Sequence, residues 1–227
     1  MNDIFRMPND RFHASAGLVP SFSPMITGNN LILPGILLDR VRQSFTIYVG
    51  EASGTAFEDT STGERIGFQA LLDGSYNIDG SVCRYPDRAL ALCMTLCGGR
   101  SAFGSEVAQH APCLSNLLSN RGHTQKGYTQ EDKDNALVYY SEVKAVCINR
   151  TFVVTEKGFY GLTPLLTGPG DVACVVLGVD VPFILKPCGE VGLFRLLGES
   201  YIRGIMEGQV REMVERREVH ERSVSIC

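Results

Sequence analysis

Four long polar side chains on or beside predicted strands in the C-terminal third of the chain have chemistry that could act on a small molecule. They are Arg150, Tyr160, Glu199 and Tyr201. A tyrosine hydroxyl or an arginine guanidinium can donate a hydrogen bond to a substrate carbonyl, and a carboxylate can orient that donor through a charge-assisted hydrogen bond. The alternative is structural, because the same groups at strand ends also form salt bridges that only hold a fold together.

Three further side chains are candidates for the wall of a substrate pocket. Tyr139 and Tyr140 lie on a predicted helix, and His110 lies in an otherwise apolar segment beside Pro112 and Cys113. A nucleophilic pair of Cys113 with His110 is one hypothesis, although neighbours at i, i+3 on a helix also arise from packing alone. We therefore treat His110, Tyr139 and Tyr140 as substrate-binding candidates.

The sequence lacks the standard motifs for nucleotides, metals and activated nucleophiles. It contains no phosphate-binding loop, no GxGxxG after a strand, no HExxH, no GxSxG and no CxxC pair. The four histidines, at positions 13, 110, 123 and 220, have no metal-ligand spacing. Cys93 and Cys97 could begin a metal site at i, i+4, but no nearby histidine or second cysteine pair completes it. We expect the protein to use no cofactor and no metal.

Composition restricts the partners and the location. The 227 residues are 44% hydrophobic and 20% charged, with a formal net charge of -4, so binding to nucleic-acid phosphates is not favoured. No apolar run approaches the roughly 18 to 20 residues of a membrane span, and the first residues do not resemble a secretory signal. The eight cysteines, at positions 83, 93, 97, 113, 147, 174, 188 and 227, are expected to be free thiols, most of them buried. We expect a cytoplasmic protein with no membrane span and no nucleic-acid partner.

Residues 1–80 are predicted to be mainly strands and loops. Short apolar runs at 31–33, 36–38 and 45–49 are separated by turn-forming residues, among them Pro34-Gly35. The segment 50–63 is polar and small, and it has too little apolar surface to repay its ordering entropy. It is therefore predicted to be a mobile loop.

Residues 86–148 are predicted to be helical. Pro86 and Asp87 suit the first turn of a helix over 88–97, and Thr129 suits the N-cap of another that ends at Cys147. The buried apolar face of this second helix is predicted to consist of Ala136, Tyr140, Val143 and Cys147. Between these helices, Ser105 is predicted to cap one short turn and Pro112 to open another that runs through Leu118. A continuous helix would need a kink at this proline.

Residues 149–205 switch to the pattern of antiparallel strands. We predict hairpins over 151–162, with a turn at Gly158, and over 172–186, and then a strand over 193–197. Residues 206–222 carry many charges around a thin apolar stripe and predict a surface helix. The whole chain, 1–227, is predicted to be one α+β domain in which the C-terminal strands form a curved antiparallel sheet or small β-barrel. The central helices and an N-terminal β segment complete it.

A string of residues in the C-terminal third matches a known pattern. In order it comprises Arg150, Phe152, Thr155, Gly158, Gly161-Leu162, Pro164, Gly170-Asp171, Leu177-Gly178, Pro182-Phe183, Leu185, Leu197-Gly198-Glu199, Tyr201 and Gly204-Ile205-Met206-Glu207-Gly208. This string resembles the C-terminal module of fungal heterokaryon-incompatibility (HET) proteins. Weaker similarity at 11–15 and 37–41 predicts that the whole chain corresponds to that module, without the effector domain that precedes it in the family.

The resemblance leaves three functional hypotheses. The first is a cofactor-independent enzyme of fungal secondary metabolism that catalyses an intramolecular cyclisation, most simply a [4+2] Diels–Alder reaction on an apolar terpenoid. Such an enzyme needs a shaped cavity and one hydrogen-bond donor. The second is a non-catalytic HET-type recognition or regulatory module that acts through protein contacts. The third is an acid/base isomerase or cyclase that uses Glu199 with Tyr201 or Tyr160. A fold does not separate such hypotheses, and we lean towards the first.

Overall fold

The computed structural model of the chain describes residues 12–50, 54–72, 76, 78, 84–119, 127–189 and 192–227. Arg11, Cys83, His123 and residues 51–53 of the predicted loop lie outside the described residues. The strands are β1 (Met25–Thr27), β2 (Asn30–Gly50), β3 (Gly54–Asp59), β4 (Arg65–Gly67), β5 (Arg150–Thr155), β6 (Tyr160–Pro164), β7 (Val172–Val176), β8 (Phe183–Pro187), β9 (Leu193–Glu199), β10 (Tyr201–Ile202) and β11 (Arg222–Ile226). The helices are α1 (Phe68–Leu72), α2 (Arg88–Leu96), α3 (Val107–Ser119), α4 (Gln130–Cys147) and α5 (Gln209–Glu215), with a 3-10 turn at Gly104–Glu106.

This content confirms the predicted α+β class with largely antiparallel strand pairing. The chain divides into two compact units. Unit 1 consists of Met1–Arg40 and Gly170–Cys227, and unit 2 consists of Val41–Pro169. Each unit has its own apolar core, so each is described by itself.

Unit 1 is a partial ring of strands. The first half of β2 pairs with β11 through residues 31–35 and with β7 through residues 35–40. Strand β7 pairs with β8, β8 pairs with β9, and β9 pairs in parallel with β11. The side chains that fill this arrangement are Val172, Cys174, Val176, Leu185, Phe194 and Val224. The predicted curvature of the C-terminal strands therefore arises from pairings that lead back to the same strand.

Strand β2 is longer than the sequence predicts. The turn expected at Pro34-Gly35 is absent, and the strand runs through both residues for 21 positions. Pro34 pairs with Ser223 of β11, and its carbonyl accepts a hydrogen bond from the Leu177 amide at 3.0 Å. Gly35 pairs with residues on both edges, Arg222 of β11 and Val176 of β7. Pairing with strands distant in sequence therefore overrides the local turn signal.

Unit 2 begins with the second half of β2, which pairs with β3 and with β5. Residues 54–59 form β3, so the prediction of a loop over this part of segment 50–63 was wrong. The reason is Phe57, which is fully buried and packs against Phe68 and Phe152 at ring-centroid distances of 6.3 and 5.9 Å. One large aromatic side chain supplies the apolar surface that the composition of the segment did not suggest.

The predicted hairpin over 151–162 is confirmed as β5 and β6. The two strands pair from Arg150 opposite Pro164 to Val154 opposite Tyr160. Gly158 in the turn has φ +80°, a conformation that side chains other than glycine rarely adopt. The hairpin over 172–186 and the strand near 193–197 are likewise confirmed, as β7 with β8 and as β9.

The helices of unit 2 begin where their capping residues predict. The Asp87 side chain accepts a hydrogen bond from the Leu90 amide at the start of α2. Thr129 and Asp132 form a reciprocal capping box at the start of α4, in which each side chain accepts from the other residue's amide. The separation predicted at Pro112 was wrong, because α3 continues through this proline. Burial of Val107, Ala111 and Cys113 favours a continuous helix despite the missing amide donor.

The predicted surface helix over 206–222 is only partly correct. Helix α5 covers seven residues and ends at Glu215, and Arg217 has φ +60°. The chain then forms β11, whose Val224 is fully buried in the core of unit 1. The charge pattern predicted a continuous helix, but the burial of Val219 and Val224 requires the chain to leave the helix and join the strands.

Gly35 provides a test of the packing in unit 1. A Cβ atom at this position would lie 3.0 Å from Val224 Cγ2 and 3.3 Å from Cys174 Sγ. We expect Gly35→Ala to lower the free energy of unfolding by about 1–3 kcal/mol, because both contacts are shorter than normal packing distances. Urea denaturation measures this change. Gly67→Ala is the matched control, because a Cβ there would meet nothing within 4 Å. Equal midpoints for the two variants would contradict the close packing at Gly35.

Candidate functional site

The seven candidate site residues are divided between the two units. His110, Tyr139, Tyr140, Arg150 and Tyr160 belong to unit 2, and Glu199 and Tyr201 belong to unit 1. The burial and the contacts of each group are therefore described within its own unit.

Tyr160 belongs to an aromatic cluster in unit 2. Its side chain is fully buried at the start of β6, and its ring centroid lies 5.4 Å from Phe152 and 4.9 Å from Tyr85. The Tyr160 amide also donates to the Tyr85 hydroxyl at 3.1 Å. The cluster continues through Phe152 to Phe45, with centroids 6.0 Å apart. Tyr160 thus has a clear packing role, and a substrate would reach its ring only if this cluster opened.

Tyr85 and Arg84 are members of this region that the sequence analysis missed. The Arg84 guanidinium carbon lies 4.0 Å from the Phe159 ring centroid, a cation–π distance. Both residues directly precede Pro86, whose only local signal is that of a helix start. No motif at these positions points to Phe159 or Tyr160, which lie about 75 residues later. Only the tertiary contacts reveal the association.

Arg150 is half-buried at the first position of β5, opposite Pro164. The neighbouring Thr151 is fully buried, and its hydroxyl donates to the Leu165 carbonyl at 3.0 Å. The Thr163 hydroxyl donates to the Thr151 carbonyl at 3.1 Å. These two threonine bonds hold the open end of the β5–β6 hairpin, so the backbone that carries Arg150 is firmly positioned.

The helix pattern predicted Tyr140 on the buried face of α4, but Tyr139 is the tyrosine that lies there. Tyr139 is fully buried on α4 with Ala136, Val143 and Cys147, whereas Tyr140 is only half-buried. The prediction of Tyr140 on this face was wrong, because spacings of three and four residues both fit a period of 3.6. The Tyr139 hydroxyl donates to the Cys93 carbonyl of α2 at 3.2 Å. Burial raises the pKa of Tyr139 well above its ordinary value, so this hydroxyl stays protonated.

The hypothetical pair of His110 and Cys113 lacks the electrostatics of an activated nucleophile. The His110 ring packs against Phe103 at a centroid distance of 4.4 Å. Burial raises the pKa of Cys113, whereas a nucleophilic cysteine needs a lowered pKa to form its thiolate. Packing is therefore the interpretation of this i, i+3 spacing that the structure favours.

Buried free thiols are confirmed at five of the described cysteines. They are Cys93, Cys97, Cys113, Cys147 and Cys174. Burial raises the pKa of Cys93 and Cys174 to about 12 and that of Cys97 to about 11. The described residues include no group of three or more His, Cys, Asp or Glu side chains placed to hold a metal ion. These thiols therefore act as small apolar side chains in the two cores.

Glu199 and Tyr201 flank a buried serine in unit 1. Glu199 is exposed at the end of β9, whereas Tyr201 is only 5% exposed and contacts Phe12 edge to face at 6.0 Å. Between them, the Ser200 amide and hydroxyl both donate to the Pro182 carbonyl, at 2.8 and 3.1 Å. The sequence analysis missed Ser200. Its two bonds fix the backbone that separates the exposed carboxylate from the buried ring.

The two tyrosines of α4 provide a matched pair for mutation. Tyr139→Phe removes the bond to the Cys93 carbonyl, and we expect it to lower the free energy of unfolding by about 0.5–1.5 kcal/mol. The Tyr140 hydroxyl oxygen is buried with no hydrogen-bond partner among the described residues, so Tyr140→Phe should be neutral or slightly stabilising. Urea denaturation of both variants measures the difference. A larger loss in Tyr140→Phe than in Tyr139→Phe would contradict the assignment.

Comparisons with known proteins agree with the resemblance seen in the sequence. The family model of the Het-6 beta-barrel domain matches residues 120–221. The heterokaryon incompatibility protein 6, OR allele, of Neurospora crassa is 33% identical over 84 residues, which is 36% of this chain and 12% of the relative. The chain thus matches about an eighth of the relative's length. No solved structure matches the chain.

A membrane span is a separate question. Within the described part of the chain, no helix has both the length and the apolar composition that crossing a bilayer requires.

Together, the family match and the Neurospora relative support a HET-like module in this chain.

Proposed function

We propose that the protein is a HET-type recognition or regulatory module that acts through contacts with another protein. The observation that carries this proposal is an exposed apolar surface within residues 120–221, the part that matches the Het-6 beta-barrel domain. The Neurospora relative is a heterokaryon incompatibility protein by name, which supports the same class of function.

The exposed surface, here called the apolar stripe, consists of five large side chains. They are Leu137 (52% exposed), Val138 (46%), Ile148 (53%), Leu165 (51%) and Leu166 (77%). A single exposed leucine is ordinary on a protein surface, whereas several neighbouring ones mark an interaction site. The apolar stripe therefore indicates an interaction site only if its five side chains lie close to one another.

The helix period relates Leu137 on α4 to Ile148, the C-cap residue that directly follows this helix. Leu137 and Ile148 are eleven residues apart, which is close to three full turns, so the two point in nearly the same direction. Between them on this face, Ser141 and Ala145 are small and exposed. The outer face of the second half of α4 is thus apolar or small, apart from the flexible Lys144.

The strand register brings the remaining leucines to the same end of the β5–β6 hairpin. Ile148 lies two residues before Arg150, and Leu165 lies one residue after Pro164, the partner of Arg150. The bond from the Thr151 hydroxyl to the Leu165 carbonyl holds this turn against β5. The C-terminal end of α4 and the turn after β6 therefore meet the same end of the hairpin. Ile148, Leu165 and Leu166 at this end are the apolar groups that we expect to contact a partner first.

The cyclisation enzyme is the second candidate, and it stays a prediction. Its four proposed catalytic residues are Arg150, Tyr160, Glu199 and Tyr201, with His110, Tyr139 and Tyr140 as wall residues. Of the four catalytic candidates, Glu199 is exposed and Arg150 is half-buried, so either could meet a small molecule without disturbing a core. The isomerase alternative depends on the same carboxylate. Tyr160 and Tyr201 would need their cores to open.

Substitution of Leu166 tests the recognition proposal. We expect Leu166→Asp to weaken capture of a protein partner by about tenfold to a hundredfold. The leucine side chain would be buried against the partner, whereas a carboxylate at this position would have to give up its hydration on binding. The measurement is affinity purification of the tagged chain from fungal cells with quantitative mass spectrometry. Stability should change by less than about 0.5 kcal/mol, since the side chain is 77% exposed.

Leu196→Asp is the matched control, because Leu196 is a 47% exposed leucine on β9 of unit 1. A partner that depends on the apolar stripe is lost with Leu166→Asp and kept with Leu196→Asp. Equal capture by both variants would overturn the assignment of the surface. Incubation of the purified protein with extract from a strain lacking its gene tests the alternative, since a new product peak would favour the enzyme.

A further inference from the structure

Two cysteines of unit 1 differ from the rest in their exposure. Cys227 is exposed and Cys188 is half-buried, whereas the other five described cysteines are buried. The sulfur atoms of Cys188 and Cys227 lie 3.5 Å apart, although the two residues are 39 positions apart in the sequence. Such an approach between accessible thiols from distant parts of a chain needs a structural explanation.

We propose that Cys188 and Cys227 form a reversible disulfide site that joins the end of β8 to the end of β11. The proposal goes beyond the recognition function and does not depend on it. The site is a dithiol in the described structure, and its substrate class is a small oxidant such as a peroxide.

Strand β9 holds both cysteines in place. The Cys188 amide donates to the Leu193 carbonyl, and the Cys227 amide donates to the Phe194 carbonyl, each at 2.9 Å. Consecutive carbonyls of a strand point to opposite edges, so the two cysteines flank β9. Each lies one residue beyond its own strand. The backbone contacts with β9 are therefore what bring the two sulfurs together.

The remaining gap is small. A disulfide bond is about 2.05 Å long, so the sulfurs must approach by roughly another 1.5 Å. Closing this gap requires rotation of the two side chains and a shift of the backbone at the strand ends. The side chains of the buried thiols have no comparable freedom, because they are packed in the cores.

The chemistry balances with hydrogen peroxide as the oxidant. The thiolate of Cys227 attacks one peroxide oxygen, the O–O bond breaks, and Cys227 becomes a sulfenic acid while one water leaves. The Cys188 sulfur then attacks the sulfenic sulfur, the S–S bond forms as the S–O bond breaks, and a second water leaves. The two thiols lose two hydrogen atoms in total, and the peroxide is reduced to two molecules of water. An external dithiol restores both thiols.

The order of attack follows from exposure and from electrostatics. Cys227 is the more exposed sulfur and meets the oxidant first. The hydrogen bond from Cys227 is the largest cause that raises the pKa of Cys188, and desolvation is the second. The positive charge of Arg195 opposes this rise. Cys188 therefore suits the second step, in which it resolves the sulfenic acid formed on its neighbour.

The bond would close the segment from residue 188 to residue 227. This segment contains β9, β10, α5 and β11, and β11 completes the partial ring through its pairing with β2 and β9. A cross-link at this place restricts the unfolded chain and holds β11 beside β9. Oxidation should therefore stabilise unit 1 against unfolding without changing its strand order.

Mass spectrometry of the full chain tests the proposal. The reduced protein is treated with hydrogen peroxide, quenched with N-ethylmaleimide and digested with trypsin without reduction. We expect the intact protein to lose two hydrogen atoms, and the peptide of residues 158–195 to be joined to that of residues 223–227. The first peptide also carries Cys174, so fragment ions must assign the link to Cys188. The melting temperature should rise by roughly 5–15 °C and fall again with dithiothreitol.

Three variants make the test specific. Cys188→Ser and Cys227→Ser should each abolish the loss of hydrogen and the rise in melting temperature, whereas Cys113→Ala should keep both, because Cys113 is buried in unit 2. The proposal is overturned if the oxidised parent keeps all its hydrogens, if fragment ions place the link at another cysteine, or if Cys188→Ser still forms an internal cross-link.

Discussion

The pairing of β2 is the constraint on which both units depend, because each unit builds its strands on one half of this 21-residue strand. In unit 1, Gly35 pairs on one edge with β11 and on the other with β7. The absence of a side chain there lets Val224 and Cys174 approach, and a Cβ would meet both at 3.3 Å or less. Register shifts near Leu37 and Val41 mark irregularities that increase the twist of so long a strand.

The cores that form around β2 account for most of the residues that first suggested chemistry. Tyr160 packs with Phe152 and Tyr85, Tyr139 bonds to the Cys93 carbonyl, and burial keeps the cysteines of both cores protonated. A buried polar group is stable only when it is hydrogen-bonded, so such groups are often structural even when their chemistry would suit catalysis. Among the candidates, Glu199 is exposed, and His110, Tyr140 and Arg150 are half-buried, so these four keep some surface that a partner or a substrate can reach.

The features that favour interaction lie on the surface. The apolar stripe of α4 and the turn after β6 exposes leucine, valine and isoleucine side chains within the region that matches the Het-6 beta-barrel domain. The dithiol of Cys188 and Cys227 is also accessible, and it lies where β11 joins the strands of unit 1. The proposed recognition through the first and the proposed oxidation at the second involve different residues in different units, so each can be tested by mutation without changing the other.

Elements with local signals were predictable from the amino-acid sequence. The caps at Asp87 and Thr129, the glycine turn at Gly158 and the alternating strands after residue 149 were all predicted, as was the α+β class. The resemblance to HET proteins also came from the sequence alone. Tertiary structure decided the continuation of β2 through Pro34, strand β3, the choice of Tyr139 over Tyr140, and β11 in place of a longer helix. It also brought Cys188 to Cys227. In each of these cases the deciding energy comes from burial or pairing with residues far along the chain, which a local pattern does not contain.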